Sequence, residues 1–322
     1  MSSDVLNAII IGCGRIGGGD KTFSHAAAYS AHAGYRLIGC VERNDETRTH
    51  FMDQWKVNQG FSSIEELIES NIVFDVASIC TPTPFHAEAL TKLLDTNVRA
   101  VFCEKPLTDD LGQAQALTAA YAHRNIALAV NYHRRWDSSM QTLKRELSDG
   151  EWGRVLSISA HYMKGLFNSG SHMLDLISAL VGPLRPVSAI RSCDGFGPND
   201  PTIDAVLKTP DQTIVHLMGI EAHAHFMFEV TIVTERGVIA IEDAGFRIRT
   251  RRVQDDPMFA NDRNLDEGQF TSTAQDNAFA AAVDNIRNAV LHAEPIKCDG
   301  ETALQTQVLC TTLLDMSTRA QA

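Results

Sequence analysis

The chain has 322 residues, 44% of them hydrophobic and 21% charged, with a formal charge of −12. That length exceeds the usual size of one hydrophobic core, so two domains are expected. The acidic balance argues against phosphate-backbone binding, which needs counterion release by Lys and Arg, and no stretch nears the ~20 uninterrupted apolar residues of a membrane helix, so neither nucleic acid nor membrane is expected as a partner.

The opening MSSDVLNAIIIGCG has no basic region ahead of its apolar run, and the run leads into glycines, not a small-residue cleavage site. A cytoplasmic location is expected on that ground. Cys13, Cys40, Cys80, Cys103, Cys193, Cys298 and Cys310 are scattered without a CxxC pair. Neither a zinc cluster nor a disulfide framework is indicated, and those at strand ends read as small buried apolar residues.

Residues 5–11, VLNAIII, form a β-branched apolar run, and GCGRIG follows at once. Gly12, Gly14 and Gly17 fill the three places of GxGxxG: a tight turn, close approach of backbone to a pyrophosphate, and close packing of helix on strand. Arg15 and Ile16 lie inside that turn and join it as cofactor-contacting candidates. A helix is expected over His25–Ala31, its first turn made irregular by Gly18, Gly19 and Asp20. The next strand, YRLIGCVERN, ends in Glu42, near the spacing of the acid that holds the adenosine ribose hydroxyls. A carboxylate there repels a 2′-phosphate, so NAD is favoured, with NADP the alternative because Arg43 could bind that phosphate or stack on adenine.

Strand and helix keep alternating. FDVASICTPTPFHAEAL reads as a strand, a loop with Thr81 and Pro82, and a helix opening near His86. VRAVFCEKPLT ends in Glu104, Lys105 and Pro106, and NIALAVNYHRRW ends in Asn131 and Tyr132. Such alternation implies a parallel sheet with right-handed crossovers, and ligands bind beyond the carboxyl ends of its strands, where these polar residues fall.

The second half changes character. RVLSISAHYM, VSAIRSCDGF, IDAVLKT, TIVHLMGI, FMFEVTIVT, GVIAIE and FRIRTR are strand-like runs separated by turn signals such as TPDQ and ERG, with antiparallel pairing expected. His161, His216 and His225 read as sheet-face residues and not as metal ligands, and the basic run Arg247–Arg252 as a solvated strand edge. The tail from Asn277 to Met316 is helical by period, broken near Glu294 and Pro295. The expected architecture is an α/β Rossmann domain over residues 1–127, followed by an α+β domain over 128–322 with a large, mostly antiparallel open sheet.

GCGRIG, ICTPTPFHAE, the EKPLT of residues 104–108 and GSHMLDLISALVG resemble, in this order, the glucose-fructose oxidoreductase, inositol dehydrogenase and rhizopine-catabolism (Gfo/Idh/MocA) family. The resemblance implies NAD(P)-dependent oxidation or reduction of a sugar, cyclitol or nucleotide sugar, and a homodimer or homotetramer formed through the open sheet. It further implies that Lys105 lies by the nicotinamide and the substrate hydroxyl, with His172 facing it.

Hydride transfer to or from a secondary alcohol needs a group that moves the hydroxyl proton, and an ammonium or an imidazole can serve. Lys105 and His172 are therefore the catalytic candidates. In GLFNSGSHMLDL, Ser169 or Ser171 is expected to cap a helix whose apolar face is Met173, Leu176, Ile177 and Leu180, and Asp175 lies close enough on that helix to orient His172. Relatives often carry an aspartate where this chain has Asn168, which cannot move a proton and is assigned to substrate positioning with Tyr132, Asp175 and Lys164. Lys164 could meet an anionic substrate. Two other functions stand beside the leading one: a non-catalytic dinucleotide-binding regulator, and carbon–oxygen cleavage through transient oxidation.

Overall fold

The computed structural model describes residues 4–195, 197–221, 225–259 and 261–321. The chain forms two compact units, one of Met1–Trp136 with Asp276–Gln305, the other of Asp137–Gln275 with Thr306–Ala322. The first passage between them follows Trp136, and part of the helical tail returns to the first unit.

In the first unit β1 (Leu6–Ile11), α1 (His25–Ala31), β2 (Tyr35–Val41), α2 (Asp45–Trp55), β3 (Gln59–Phe61) and α3 (Ile64–Glu69) are followed by β4 (Val76–Ile79), α4 (His86–Leu93), β5 (Ala100–Cys103), α5 (Leu111–His123) and β6 (Ala127–Val130). All six strands are parallel, in the order β3-β2-β1-β4-β5-β6. Helices on both faces of a parallel sheet bury most strand positions, which is why β1 and β4 are largely apolar, broken only by Asn7 and Ser78. Side chains of Ser24, Asn44, Ser63 and Asp110 accept the free N–H groups at the starts of α1, α2, α3 and α5. The strand order reverses between β1 and β4, and a crevice opens at such a reversal. The three-residue β3 has no apolar run to announce it and is added by pairing with β2.

The second unit contains α6 (Ser138–Ser148), β7 (Val155–Tyr162), α7 (Ser171–Val181), β8 (Arg185–Gly195), β9 (Gly197–Lys208), β10 (Ile214–Gly219), β11 (Phe228–Thr234), β12 (Gly237–Glu242), β13 (Arg247–Asp255), β14 (Arg263–Leu265) and β15 (Gln269–Ser272). Its sheet runs β14-β13-β12-β11-β7-β10-β9-β8, with β15 also pairing β13. Alternation along β7 and β12 buries Ile158, Ala160, Tyr162, Ile239 and Ile241 in a core shared with Leu174 and Ile177 of α7.

Most neighbours are antiparallel, but β10 pairs β7 in parallel. The expectation of antiparallel pairing fails there because α7 acts as a crossover after β7, and the two reversals from β8 through β9 to β10 restore the same direction. Two further expectations are corrected. Arg247–Arg252 lies in a strand, but β12 flanks it on one side and β14 and β15 on the other, so it is no edge. Arg247 and Arg249 instead lie 5.2 and 5.6 Å from the centre of the Phe270 ring. His161 and His216 are on strands, whereas His225 is exposed in the segment between β10 and β11.

The tail forms α8 (Ala278–His292) and α9 (Gly300–Gln321). Phe279, Ala282, Val283 and Ile286 of α8 enter the first core. Buried Asn285 accepts from Trp136 Nε1 and Lys297 N at 3.0 Å each and donates to Glu294 and Pro295, fixing the break after α8. The seven cysteines are free, and all but Cys193 are buried. Among the described residues no helix is long and apolar enough to cross a membrane.

Candidate functional site

The glycines after β1 serve three different needs. Gly12 has φ +95°, and a Cβ there would sit 2.7 Å from the Thr81 nitrogen at the end of β4. At Gly17 an added Cβ would drive into the carbonyl oxygen of Gly12, so close packing of the following turn on the strand requires its absence. A Cβ on Gly14, by contrast, meets nothing within 4 Å, and its φ of −66° suits any residue. Protein packing gives no reason for glycine there. A ligand brought against the backbone does.

The turn Arg15–Gly19 is wound more loosely than an α-helix, and the chain leaves helical geometry at Gly18 before α1 begins. The irregularity expected of Gly18, Gly19 and Asp20 is present. Asp20 accepts from Thr22 N and Phe23 N at 2.9 and 3.0 Å, and these bonds with that from the Thr22 hydroxyl lower its pKa to about 2. Arg15 is exposed and Ile16 packs against the core.

Beside the turn is a cavity of about 590 Å³ lined by Gly12, Gly14, Glu42, Arg43, Thr81 and Pro82, together with Ser62, Ser63, Phe85, Glu88 and Lys92. Glu42 Oε2 accepts from Cys13 N at 3.0 Å, inside the glycine motif, and Oε1 accepts from Asn44 N at 3.0 Å. The carboxylate is thus fixed against the turn. The Arg43 guanidinium stands 5.6 Å from the Phe85 ring centre, and Lys92 pairs with both Glu65 and Glu88. Ser62, Ser63 and Lys92 lie outside every motif, and Phe85, although inside ICTPTPFHAE, has no polar group to mark it as a candidate.

Beyond the sheet's carboxyl edge, Asn131 is 3% exposed and donates from Nδ2 to Glu104 Oε1 at 2.7 Å. Burial pushes the Glu104 pKa up, but contact with His25, the Asn131 amide and the Lys105 ammonium outweigh it and hold it below its usual range. The neighbouring His133 is held well below its usual pKa, by burial first and then by Arg134 and Lys105. Buried Thr81 Oγ1 and Asn131 Oδ1 have no hydrogen-bond partner. Unsatisfied buried polar atoms are rare. Two of them at strand ends fit a dinucleotide that would supply the missing partners.

Not every candidate reaches the cavity. His86 is 1% exposed, its ring nitrogens 2.9 Å from Pro106 O and 2.8 Å from Thr81 O, so it fastens two strand-end loops together. Tyr132 is 2% exposed within the first core.

In the second unit neither Ser169 nor Ser171 caps α7. A helical turn, Gly165–Gly170, runs straight into the helix, and Ser171 Oγ donates instead to Phe167 O at 2.6 Å. The cap comes from far along the chain: Asp200 accepts from Phe167 N at 2.7 Å and Asn168 N at 2.9 Å. Gly165, at φ +85°, leaves room for that carboxylate. Asn168 donates from Nδ2 to Lys164 O at 3.1 Å, and the Lys164 ammonium stands 5.0 Å from the Phe226 ring centre. His172 sits in the first turn of α7, partly buried, and buried Asp175 accepts from Thr306 Oγ1 at 3.3 Å.

Asp200 thus supports the turn that presents Asn168 and His172. Asp200→Ala is expected to cost about 2 kcal/mol, since two bonds to a charged acceptor are lost. Amide exchange at Phe167 and Asn168 should quicken in the variant. Native-like protection there would show that the cap is dispensable.

A six-stranded parallel sheet in this order, with a three-glycine turn after its first strand and an acid after its second, defines a dinucleotide-binding Rossmann domain. Residues 6–132 match the model of the Gfo/Idh/MocA oxidoreductase family, NAD-binding Rossmann fold. Over that segment the chain is similar to this family. It is similar to inositol 2-dehydrogenase of Rhizobium meliloti, 29% identical over 150 residues that cover 45% of this chain and 42% of that protein. Inositol 2-dehydrogenase of Corynebacterium glutamicum is 25% identical over 264 residues, 75% of each chain. The matches to the first four curated relatives cover only 39–47% of those proteins' length. An NAD-binding oxidoreductase from Klebsiella pneumoniae shares the fold with a TM-score of 0.83 at 16% identity, over 98% of both chains.

Proposed function

We propose that the protein is an NAD-dependent oxidoreductase that moves a hydride between nicotinamide and a secondary alcohol or ketone of a sugar, cyclitol or nucleotide sugar. The observation that carries this reading is Gly14, a glycine that nothing in the protein requires, open to a cavity of about 590 Å³ beside a fixed carboxylate. When bound, the nicotinamide supplies the hydride chemistry and the protein supplies binding, orientation and charge. Gly12, Gly14, Thr81 and Asn131 are assigned to holding the dinucleotide. Lys105 and His172 are assigned to holding the reacting oxygen and moving its proton. Asn168 cannot carry that proton and belongs to positioning.

The test is a fluorescence titration with NADH, followed by turnover assays on sugars, cyclitols and nucleotide sugars. Binding with turnover of one of these classes is expected. Tight NADH binding with no turnover across all three would replace the enzyme by a dinucleotide-binding regulator, and absence of binding would remove both readings.

Cofactor choice follows from Glu42. Its charge is placed to repel a 2′-phosphate, so NADH should bind more tightly than NADPH. Glu42→Gln removes the charge and keeps the shape, and the preference should shrink about tenfold, which corresponds to ~1.4 kcal/mol. Equal affinity of the unaltered protein for the two cofactors would contradict the assignment.

A further inference from the structure

The strand ends of the first unit rest on a hydrogen-bonded chain that runs back into the core. Tyr29 and His25 of α1 and Ser78 of β4 are each 0% exposed. Tyr29 Oη lies 2.9 Å from Ser78 Oγ, Ser78 Oγ 3.0 Å from His25 Nδ1, and His25 Nε2 2.9 Å from Glu104 Oε1. The rings of Phe102 and Phe279 stand 4.4 and 5.2 Å from the imidazole, centre to centre. His25 therefore has apolar neighbours at its faces and polar partners at its two nitrogens.

Counting donors gives this chain a direction. Ionised Glu104 only accepts, so His25 donates from Nε2. Burial pushes the Tyr29 pKa up, so its hydroxyl keeps its proton and must place it on Ser78. Ser78 then donates to Nδ1, which accepts only if the ring is uncharged. With Nδ1 protonated, Ser78 would either donate to Tyr29 or accept from both neighbours, and one buried hydroxyl proton, that of Tyr29 or of Ser78 itself, would lose its acceptor.

We propose that His25 is a positioning residue: an Nε2–H imidazole, held in that tautomer by Ser78 and Tyr29, it locks the Glu104 carboxylate, which orients the Asn131 amide and sets the charge around Lys105. Glu104 receives its Nε2–H, Lys105 lies beyond that carboxylate, and the thiols of Cys80 and Cys103 near Glu104 are kept neutral by burial. The proposal rests on the reading of Lys105 as the residue that handles the reacting oxygen, yet its consequences appear without any substrate.

Long-range nitrogen–proton NMR of the full chain at neutral pH should show His25 protonated at Nε2 and bare at Nδ1, with mixed tautomers in Ser78→Ala. Labelling of Lys105 by trinitrobenzenesulfonate, read by peptide mass spectrometry at one neutral pH, should rise about tenfold in His25→Ala, the change that one unit of amine acidity produces. His25→Gln, whose amide can still donate to Glu104, should stay near the native rate, which a general loosening of the fold would not allow. A native ring protonated at Nδ1 overturns the proposal. So does native-like Lys105 labelling in a folded His25→Ala variant. If that variant fails to fold, an unchanged tautomer in Ser78→Ala overturns it instead. Loss of NADH binding in the unaltered protein would sink the functional reading while leaving the tautomer and the labelling response in place.

Discussion

NADH binding is expected to vanish in Gly14→Val while the protein's thermal unfolding stays at the native temperature. A side chain at position 14 enters open space and meets no protein atom within 4 Å, and φ of −66° is unstrained for valine. Any ligand pressed against that backbone loses its seat. Gly17→Ala should do the reverse in order of cause: its methyl runs into the Gly12 carbonyl oxygen, which belongs to rigid backbone. Overpacking of this kind costs about 1–3 kcal/mol, so melting should fall first and binding with it. The pair separates a glycine kept for a ligand from a glycine kept for the fold. Undiminished NADH affinity in Gly14→Val, measured by titration, would remove the dinucleotide from this turn.

Lys105→Ala and His172→Ala are each expected to lower turnover by about a hundredfold to ten-thousandfold, the range that a positioned acid or base contributes. NADH affinity should survive in His172→Ala, since His172 is assigned to the proton of the substrate and not to holding the dinucleotide. Steady-state rates on the active substrate class, with affinity measured in parallel, check both. Full activity in both variants would end their assignment as the residues that move the proton.

How legible the molecule is depends on how far apart the interacting residues lie in the chain. The Rossmann unit shows in single stretches: a run of isoleucines, glycines at fixed intervals, Glu42 at the close of the next strand. Each element there needs only its neighbours, and right-handed crossovers dictate the rest. The helix at His172 is also legible, but its cap is not. Local spacing points to Ser169 or Ser171, yet the bonds go to Asp200, 32 residues from Asn168. A serine already inside a helical turn cannot act as a cap, and nothing near it in sequence signals the carboxylate that does.

By itself the amino-acid order determined the parallel domain, the phosphate turn, the change to a second sheet and the candidate residues at strand ends, because each is written in contiguous periodicity or fixed spacing. Folding alone decided that β10 lies parallel to β7, that His86 clamps two loops, and that His25 meets Glu104 across 79 positions. Such contacts are chosen by burial and by the requirement that every enclosed donor find an acceptor, a condition set by the packed interior as a whole and not by any one segment.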